Sequence, residues 1–184
     1  MNILVYGSRE FGRVVCNNLE ACGHRFAGFV DDSQSDVATV GDYASARKGF
    51  SPETTGFVIA VGYKHLDARW RLFEKVVADG YRVPPLIHPR AYLHSSAVVA
   101  DGVIVMATAS IDQNVSIGAL SVVWPGAVIS HDSYVGQNCF ISPGAVICGY
   151  AKIGIASFVG AGAIVVDHCS LPDHSFVKAG ERLV

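Results

Sequence analysis

The sequence predicts a mixed fold: a small Rossmann-like α/β domain over residues 1–85, followed by a left-handed parallel β-helix over residues 86–184. Three observations predict it. Every sixth residue from Ile87 to Leu183 is Ile, Leu or Val. The phrase Pro-Gly-Ala-Val occurs at 125–128 and again at 143–146, 18 residues later. The first third instead shows strand-like runs and helical spacing around a glycine turn, which is typical of a nucleotide-binding βαβ unit.

The N-terminal third carries the elements of that unit. Its pattern predicts strands over residues 2–6, 25–30 and 57–61, and helices over 11–22 and 66–78. The loop Gly7–Gly12 has the first and third glycines of a GxGxxG phosphate loop and lacks the middle one. Asp31 or Asp32 stands where an acid usually holds a ribose hydroxyl. From these residues alone, the domain is equally a ligand site or a cap on the open end of the solenoid.

The six-residue repeat predicts the geometry of the second domain. Three hexads make one 18-residue coil, so short parallel strands form three flat faces around an Ile and Val interior. Recurring glycines mark corners where other residues adopt the backbone conformation at a cost. Residues 18 apart become neighbours in adjacent coils. Gly149 should therefore lie beside His131, and Tyr150 beside Asp132.

The composition limits the classes of function. Hydrophobic residues make up 51% of the chain, charged residues 16%, and the net charge is −2. No basic face for nucleic acid is indicated, and the large apolar surface favours an oligomer. We expect a cytoplasmic protein, because neither a signal peptide nor a membrane-spanning run is evident. No metal site is expected, since the five cysteines form no CxxC pair and His94, His131 and His168 do not fall in one 18-residue column.

Several segments resemble a known family. They are the N-terminal strand with its glycine turn, Gly28-Phe29-Val30-Asp31-Asp32, Ile87-His88-Pro89-Arg90-Ala91, and Ser130-His131-Asp132-Ser133-Tyr134-Val135-Gly136. Together they resemble the hexapeptide-repeat sugar acyltransferases related to sialic acid O-acetyltransferase and to bacterial N-acetyltransferases of nucleotide-linked 4-amino sugars. The resemblance implies a homotrimer with active sites between neighbouring coils. It also implies that acetyl-CoA, or another acyl-CoA, lies along the coil and that the N-terminal domain holds a nucleotide-linked amino sugar.

The resemblance further implies roles for individual residues. It assigns catalysis to His131 and Asp132. It assigns nucleotide-sugar binding to Gly7, Arg9, Glu10, Phe11, Asp31, Asp32 and Gly62, and coenzyme binding to Phe140, Gly149, Ala161 and Ala179. Two departures from the family stand out. Glu10-Phe11 replaces a usual Gly-His pair, and Phe140 replaces a second histidine, which predicts a more apolar acyl pocket.

The chemistry expected at His131 is general base catalysis. Attack of an amine on a thioester requires loss of a proton, which a histidine accepts near neutral pH. Asp132 would hold the imidazole in the required tautomer, and the Gly149 N–H would bind the thioester oxygen as charge develops. From the residues alone, the pattern favours a solvated corner residue at position 131, and the resemblance favours catalysis.

Three functions are consistent with these patterns. The first is an N-acyltransferase acting on a nucleotide-linked amino sugar for bacterial surface glycans. The second is an O-acetyltransferase of a sugar hydroxyl, since one histidine base serves both nucleophiles. The third is a catalytically silent trimeric scaffold that only binds a ligand, which Glu10, Phe11 and Phe140 favour.

Overall fold

A computed structural model describes residues 1–33 and 38–184 and divides the chain into two compact units, Met1–Leu86 and Ile87–Val184. The first is an α/β unit and the second a solenoid of about five turns, so the predicted fold class is confirmed. Within the described ranges, no helix is long and apolar enough to cross a membrane.

The first unit is a parallel four-stranded sheet with helices between its strands. Its elements are β1 (Asn2–Tyr6), α1 (Glu10–Leu19), β2 (Arg25–Val30), β3 (Thr39–Gly41), α2 (Tyr43–Gly49), β4 (Thr55–Ile59), a 3-10 turn (Tyr63–His65) and α3 (Leu66–Ala78). The strands lie in the order β3-β2-β1-β4. The chain therefore leaves β1 on one side and returns on the other with β4. Such a reversal opens a crevice at the carboxyl ends of the strands, where ligands of parallel sheets usually bind.

The predicted bounds of β1, β2 and α3 are confirmed, and those of α1 and β4 are not. Helix α1 ends at Leu19 instead of Cys22, because the Cys22 and His24 amides both donate to the Leu19 carbonyl and turn the chain. Gly23, at φ +80°, follows that turn. Strand β4 begins two residues earlier than predicted because it pairs with the whole length of β1. The short elements β3 and α2 had no periodic signal long enough to predict them.

The second unit is a solenoid of two-residue strands. They are β5 (Leu86–Ile87), β6 (Tyr92–Leu93), β7 (Val98–Val99), β8 (Ile104–Val105), β9 (Ser110–Ile111), β10 (Ser116–Ile117), β11 (Val122–Val123), β12 (Val128–Ile129), β13 (Tyr134–Val135), β14 (Phe140–Ile141), β15 (Val146–Ile147), β16 (Lys152–Ile153), β17 (Phe158–Val159), β18 (Ile164–Val165), β19 (Ser170–Leu171), β20 (Phe176–Val177) and β21 (Arg182–Leu183). Successive strands belong to different faces, so every third strand joins the same parallel sheet.

Three sheets result. The first sheet holds β5, β8, β11, β14, β17 and β20, the second holds β6, β9, β12, β15, β18 and β21, and the third holds β7, β10, β13, β16 and β19. Each strand pairs with the strand 18 residues away, as Val122 does with Phe140 and Val128 with Val146. The 18-residue superperiod read from the sequence is therefore the register of the sheets. The interior is a stack of inward-facing Val, Ile, Ala and Cys side chains, most of them fully buried.

The recurring glycines serve two different purposes. Gly126 and Gly144 have φ of +72° and +67°, which is the left-handed conformation predicted for the corners. Gly118 and Gly136 have ordinary φ values and are required by close packing instead. A Cβ atom on either would lie 2.6 Å from the Gln137 nitrogen or 2.8 Å from the Ile155 nitrogen, both in the next coil. The expectation of a costly conformation thus holds for the column of Gly126, Gly144, Gly162 and Gly180 and not for the column of Gly118 and Gly136.

Non-glycine residues also occupy left-handed corners. These are Thr108, Asn114, Leu120, Asp132, Asn138, Tyr150, Ala156, His168 and His174. Each stands three places after an inward-facing aliphatic residue, so the coil geometry imposes the conformation whatever the side chain. Such a residue is strained by roughly 1–2 kcal/mol, and Asn and Asp tolerate it best. One of these columns contains Asp132 and passes through the candidate site.

Candidate active site

His131 and Asp132 lie together at the corner between the second and third sheets. Strand β12 ends two residues before His131, and β13 begins two residues after Asp132. Neighbouring side chains of a strand point to opposite faces, but the left-handed Asp132, at φ +58°, breaks that alternation. Both side chains therefore project outward and meet, with His131 Nδ1 3.0 Å from Asp132 Oδ2. The side chains are 44% and 28% exposed, so solvent and ligands reach the pair.

This contact defines the state of the imidazole. An ionised carboxylate can only accept a hydrogen bond. Nδ1 therefore carries a proton and donates a hydrogen bond to Asp132. The other ring nitrogen, Nε2, then has a free lone pair, which is the form that a general base needs. The geometry thus supplies both features that base catalysis requires of the pair: a fixed tautomer and an accessible basic nitrogen.

Asp132 is held by a column of residues in adjacent coils. Asn114, 18 residues earlier, donates from Nδ2 to Asp132 Oδ1 over 3.0 Å. Hydrogen bonds from Asn114, His131 and Tyr150 together hold the pKa of the Asp132 carboxyl below its usual range. The carboxylate is consequently ionised at neutral pH and engaged at both oxygens.

Gly149 lies against the imidazole of His131, as the superperiod predicted. A Cβ atom at position 149 would stand 2.8 Å from His131 Cε1 and 3.0 Å from Nε2. Only glycine leaves room for the ring in this place. Within residues 1–33 and 38–184, no acceptor is found for the N–H of Gly149, which is buried beside the imidazole.

Tyr150 joins the site to the next coil. Its ring meets the His131 ring edge-on, with centroids 5.4 Å apart, and stacks on His168 at 4.8 Å and 4°. Tyr150 adopts φ +59°, a strained conformation for an aromatic residue. Tyr150 thus lies beside Asp132, as the superperiod predicted. His168 stacks on Tyr150, so a second aromatic ring continues the site into the following coil.

The other proposed coenzyme residues lie on different parts of the coil. Ala161 and Ala179 are exposed and stand one coil apart, at the corner between the first and second sheets. Phe140 belongs to β14 of the first sheet and is 2% exposed. None of the three lies at the His131 corner of the same chain.

In the first unit, the glycine turn is shaped by close backbone approaches. A Cβ atom on Gly7, at φ +111°, would lie 2.7 Å from the Ala60 carbonyl oxygen. A Cβ atom on Gly12 would lie 1.9 Å from the Gly7 carbonyl oxygen, so α1 passes directly over the turn. This is the role of the third glycine in dinucleotide-binding loops, which is close packing of helix on strand.

Asp31 fastens this turn and has no oxygen to spare. Its Oδ2 accepts from the Ser8 amide and hydroxyl at 3.0 and 2.7 Å, and its Oδ1 from those of Ser33 at 3.0 and 2.8 Å. Burial by itself would raise the pKa of the Asp31 carboxyl, but the bonds from Ser8 and Ser33 outweigh it and hold the pKa well below its usual range. Asp31 is thus a structural clamp.

Asp32 has acceptor capacity left over among the residues that the structure describes. It is exposed, and within that part of the chain each oxygen accepts one hydrogen bond, from the Tyr6 hydroxyl at 2.6 Å and from the Tyr43 amide at 2.9 Å. Of the two acids that the sequence offered for a ribose hydroxyl, the geometry favours Asp32.

The remaining candidate residues border the same end of the sheet. Arg9 is the N-cap of α1, Glu10 its first residue, and both are exposed. Phe11 follows in the first helical turn and is half-buried. Gly62 caps the 3-10 turn beyond β4 at φ −74°, and a Cβ atom there would meet nothing within 4 Å. Gly62 is therefore not demanded by sterics.

Ser8 and Asn114 were not singled out by the sequence. Ser8 carries no motif signal, because its contact with Asp31 spans 23 residues and depends on the shape of the turn. Asn114 did carry one, since it stands 18 residues before Asp132. In the described ranges, no group of three or more His, Cys, Asp or Glu side chains is placed to hold a metal ion.

The two units match two family models. Residues 2–76 match the PglD N-terminal domain, and residues 114–149 match the bacterial transferase hexapeptide with six repeats. The chain has a PglD-type N-terminal domain followed by transferase hexapeptide repeats. No curated protein matches the chain at the level of sequence.

Solved structures extend this similarity to the whole chain. The acetyltransferase domain of PglB from Neisseria gonorrhoeae is 27% identical with a TM-score of 0.90, over 100% of this chain and 91% of that one. A variant of perosamine N-acetyltransferase from Caulobacter crescentus, solved with CoA and GDP-perosamine, is 28% identical with a TM-score of 0.92, over 100% and 89%. The PglB domain with acetyl coenzyme A gives 26% and 0.78, over 98% and 94%. The resemblance to hexapeptide-repeat sugar acyltransferases is confirmed.

Proposed function

We propose that this protein transfers an acetyl group, or another short acyl group, from acyl-CoA to the amino group of a nucleotide-linked amino sugar. The observation that carries the proposal is the His131–Asp132 pair with Gly149 against the imidazole, since these groups form a basic nitrogen beside an unused backbone donor. Two similar structures have bound coenzyme, and one of them also holds GDP-perosamine.

His131 is the general base in this proposal. His131 Nε2 takes a proton from the sugar amine while the amine nitrogen forms a bond to the thioester carbonyl carbon. The Gly149 N–H donates to the carbonyl oxygen, on which negative charge develops. The carbon–sulfur bond then breaks, and His131 returns its proton to the departing thiolate. The products are the amide and the free thiol of coenzyme A. The reaction needs no covalent acyl-enzyme.

Asp132 keeps His131 in the productive tautomer and stabilises the imidazolium that forms in this step. Its ionised state at neutral pH makes this possible, because a neutral carboxyl group would not stabilise the positive ring. The same arrangement accepts a proton from a hydroxyl group, so acylation of a sugar oxygen is the alternative that product analysis must separate.

The crevice of the first unit is proposed to hold the nucleotide part of the substrate. The N-terminal amides of α1 and the Arg9 guanidinium provide donors for phosphate oxygens, and Asp32 provides an acceptor for a ribose hydroxyl. Glu10 opposes a phosphate at the same helix start. We place the diphosphate on the side of Arg9 for this reason.

The active form is proposed to be a homotrimer. The Ala161 and Ala179 corner and the His131 corner lie at different edges of one coil, and we expect one coenzyme to contact both where neighbouring copies meet. Analytical ultracentrifugation tests the assembly, and a monomer at working concentration would contradict it.

Asp31 and Asp32 have different proposed roles, so we expect mutation of the first to change Tm and mutation of the second to change KM. Asp31→Asn replaces one accepting oxygen by an NH2 donor, so the bonds from either Ser8 or Ser33 are lost and we expect a lower Tm at pH 7. A carboxylate with a depressed pKa stabilises the fold above its unfolded pKa of about 3.9, and this contribution disappears as the pH falls. The Tm difference from wild type should therefore shrink below pH ~4. Asp32→Asn should mainly raise KM for the nucleotide sugar. Equal effects of the two variants on Tm and KM would refute this division.

The activity itself is tested by release of free thiol from acetyl-CoA, with nucleotide-linked amino sugars as acceptors. The panel should contain both 3-amino and 4-amino sugars on uridine, guanosine and deoxythymidine diphosphates. We expect release with at least one acceptor and none with its already N-acetylated form. No binding of coenzyme by calorimetry, together with no thiol release, would favour the silent scaffold.

A further inference from the structure

A polar ladder lies beneath the candidate base, at corners of successive coils. The Ser96 amide donates to His94 Nδ1 at 3.2 Å, the Asn114 amide donates to Ser96 Oγ at 2.9 Å, and Asn114 Nδ2 donates to Asp132 Oδ1 at 3.0 Å. The ladder ends on the carboxylate that orients His131. The Ser96 and Asn114 side chains each form a hydrogen bond to a residue one coil away, in addition to the backbone hydrogen bonds of the solenoid.

Asn114 is the link that touches the carboxylate. We infer that Asn114 is a positioning residue, which selects the orientation of the Asp132 carboxylate and through it the tautomer of His131. This inference rests on the proposed function of His131 as a base. Asn114 lies one coil away from the reacting atoms and acts only through Asp132.

The chemistry of the contact leaves one arrangement. The Asp132 carboxylate only accepts hydrogen bonds, so the amide nitrogen of Asn114, not its oxygen, faces it. That bond occupies Oδ1 and leaves Oδ2 for His131 Nδ1. Without the amide, His131 and Tyr150 remain as partners of the carboxylate, which gains freedom about its terminal torsion because that torsion has a broad energy minimum. The aspartate would then share its time between orientations that hold the imidazole and orientations that do not.

The corner conformation alone does not explain an asparagine here. Asn114 has φ +58°, and Thr108 has φ +63° at a corner of the same kind. The Thr108 hydroxyl donates only to the neighbouring Ala107 carbonyl. Coil geometry thus accepts a residue that makes no link to the next coil. The Asn114 amide is distinguished by reaching the carboxylate of the candidate catalytic pair.

The test compares Asn114→Gly with Asn114→Asp and with the matched control Thr108→Gly. Glycine preserves the left-handed backbone in both places, and aspartate preserves side-chain size while replacing the N–H donor by an acceptor. We expect Asn114→Gly to lower kcat about 10-fold, the lower end of the range for partners that orient a functional ligand. KM for acetyl-CoA and Tm should stay at wild-type values, and Thr108→Gly should keep full activity.

The pH profile of kcat/KM separates positioning from a structural role. Ionisable groups near Asn114 are Asp132 and His131 in the next coil, Tyr150 in the coil after that, His94 below, and Asp112 two residues before it. A second carboxylate in Asn114→Asp adds negative charge below the imidazole, so kcat/KM should reach half its maximum at a higher pH. In Asn114→Gly the loosened carboxylate should shift that midpoint to lower pH. A purely structural residue would leave the midpoint of Asn114→Gly unmoved, whereas the added charge moves that of Asn114→Asp in either case.

The possible results separate the positioning role of Asn114 from the proposed function of His131 as a base. A loss in Asn114→Gly with opposite midpoint shifts in the two variants supports the positioning role. Asn114→Gly within twofold of wild type, or a loss matched by Thr108→Gly, overturns it while the His131 mechanism stands. Wild-type turnover in His131→Ala overturns the proposed mechanism, and the positioning role with it. If Asn114→Gly is unstable, kcat of Asn114→Asp at the pH plateau decides, because aspartate cannot donate to Asp132, and a wild-type kcat overturns the inference.

Discussion

His131→Ala is expected to lower turnover by about 10²- to 10⁴-fold, the contribution that general acid–base catalysis commonly makes. The imidazole is half exposed and contributes nothing to the buried stack of the solenoid, so its loss should leave the fold unchanged. Steady-state thiol release measures the effect, and circular dichroism and sedimentation verify that fold and assembly are intact. KM for acetyl-CoA should change little, because the coenzyme is held mainly by backbone groups in this account.

The matched control is His174→Ala. His174 is also an exposed corner histidine of the solenoid, at φ +60°, and it lies outside the His131 column. Full activity in this control would attribute the loss in His131→Ala to chemistry and not to removal of a corner histidine. Turnover of His131→Ala within threefold of wild type would show that another group removes the proton.

Gly149→Ala is expected to lower kcat about 10²-fold while the protein remains folded. The added Cβ would lie 2.8 Å from His131 Cε1 and 3.0 Å from Nε2. The obstructing atoms belong to a side chain that can rotate, so the ring moves and the coil keeps its shape. A misplacement of about 1 Å is enough to cost about 100-fold in an oriented reaction. Thiol release and Tm measured on the same preparation separate the two effects.

Gly49→Ala provides the control for this substitution. Gly49 ends α2, and a Cβ atom there would meet nothing within 4 Å. Its replacement should leave both activity and Tm at wild-type values. Undiminished kcat in Gly149→Ala would contradict the placement of the reacting groups between Gly149 and His131. A large drop in its Tm would mean that the coil, and not the ring, gives way.

The repetitive part of this molecule was the most predictable from sequence. A six-residue period with an 18-residue superperiod defines which residues are stacked, because the coil has the same length at every turn. The contact of Gly149 with His131 followed directly from that arithmetic. So did the place of Tyr150, although its stacking on His168 depends on side-chain rotation, which periodicity does not encode.

The irregular contacts could not be read in this way. The saturation of Asp31 by Ser8 and Ser33 depends on how two turns face each other across the end of the sheet. The sequence therefore left Asp31 and Asp32 as equivalent candidates. The left-handed corners were associated with glycine, yet tyrosine, leucine and histidine also occupy them, because the pairing of adjacent coils outweighs a strain of roughly 1–2 kcal/mol.

The measurement that tests the central claim most directly is identification of the acylated product. The protein is incubated with acetyl-CoA and the acceptor that releases most thiol, and the product is isolated and treated with hydroxylamine. An amide survives this treatment and an ester does not. We expect a product that has gained one acetyl group and resists hydroxylamine. This product should not form with His131→Ala. A product cleaved by hydroxylamine would contradict transfer to nitrogen, and the same rate of product formation by His131→Ala would contradict the proposed base.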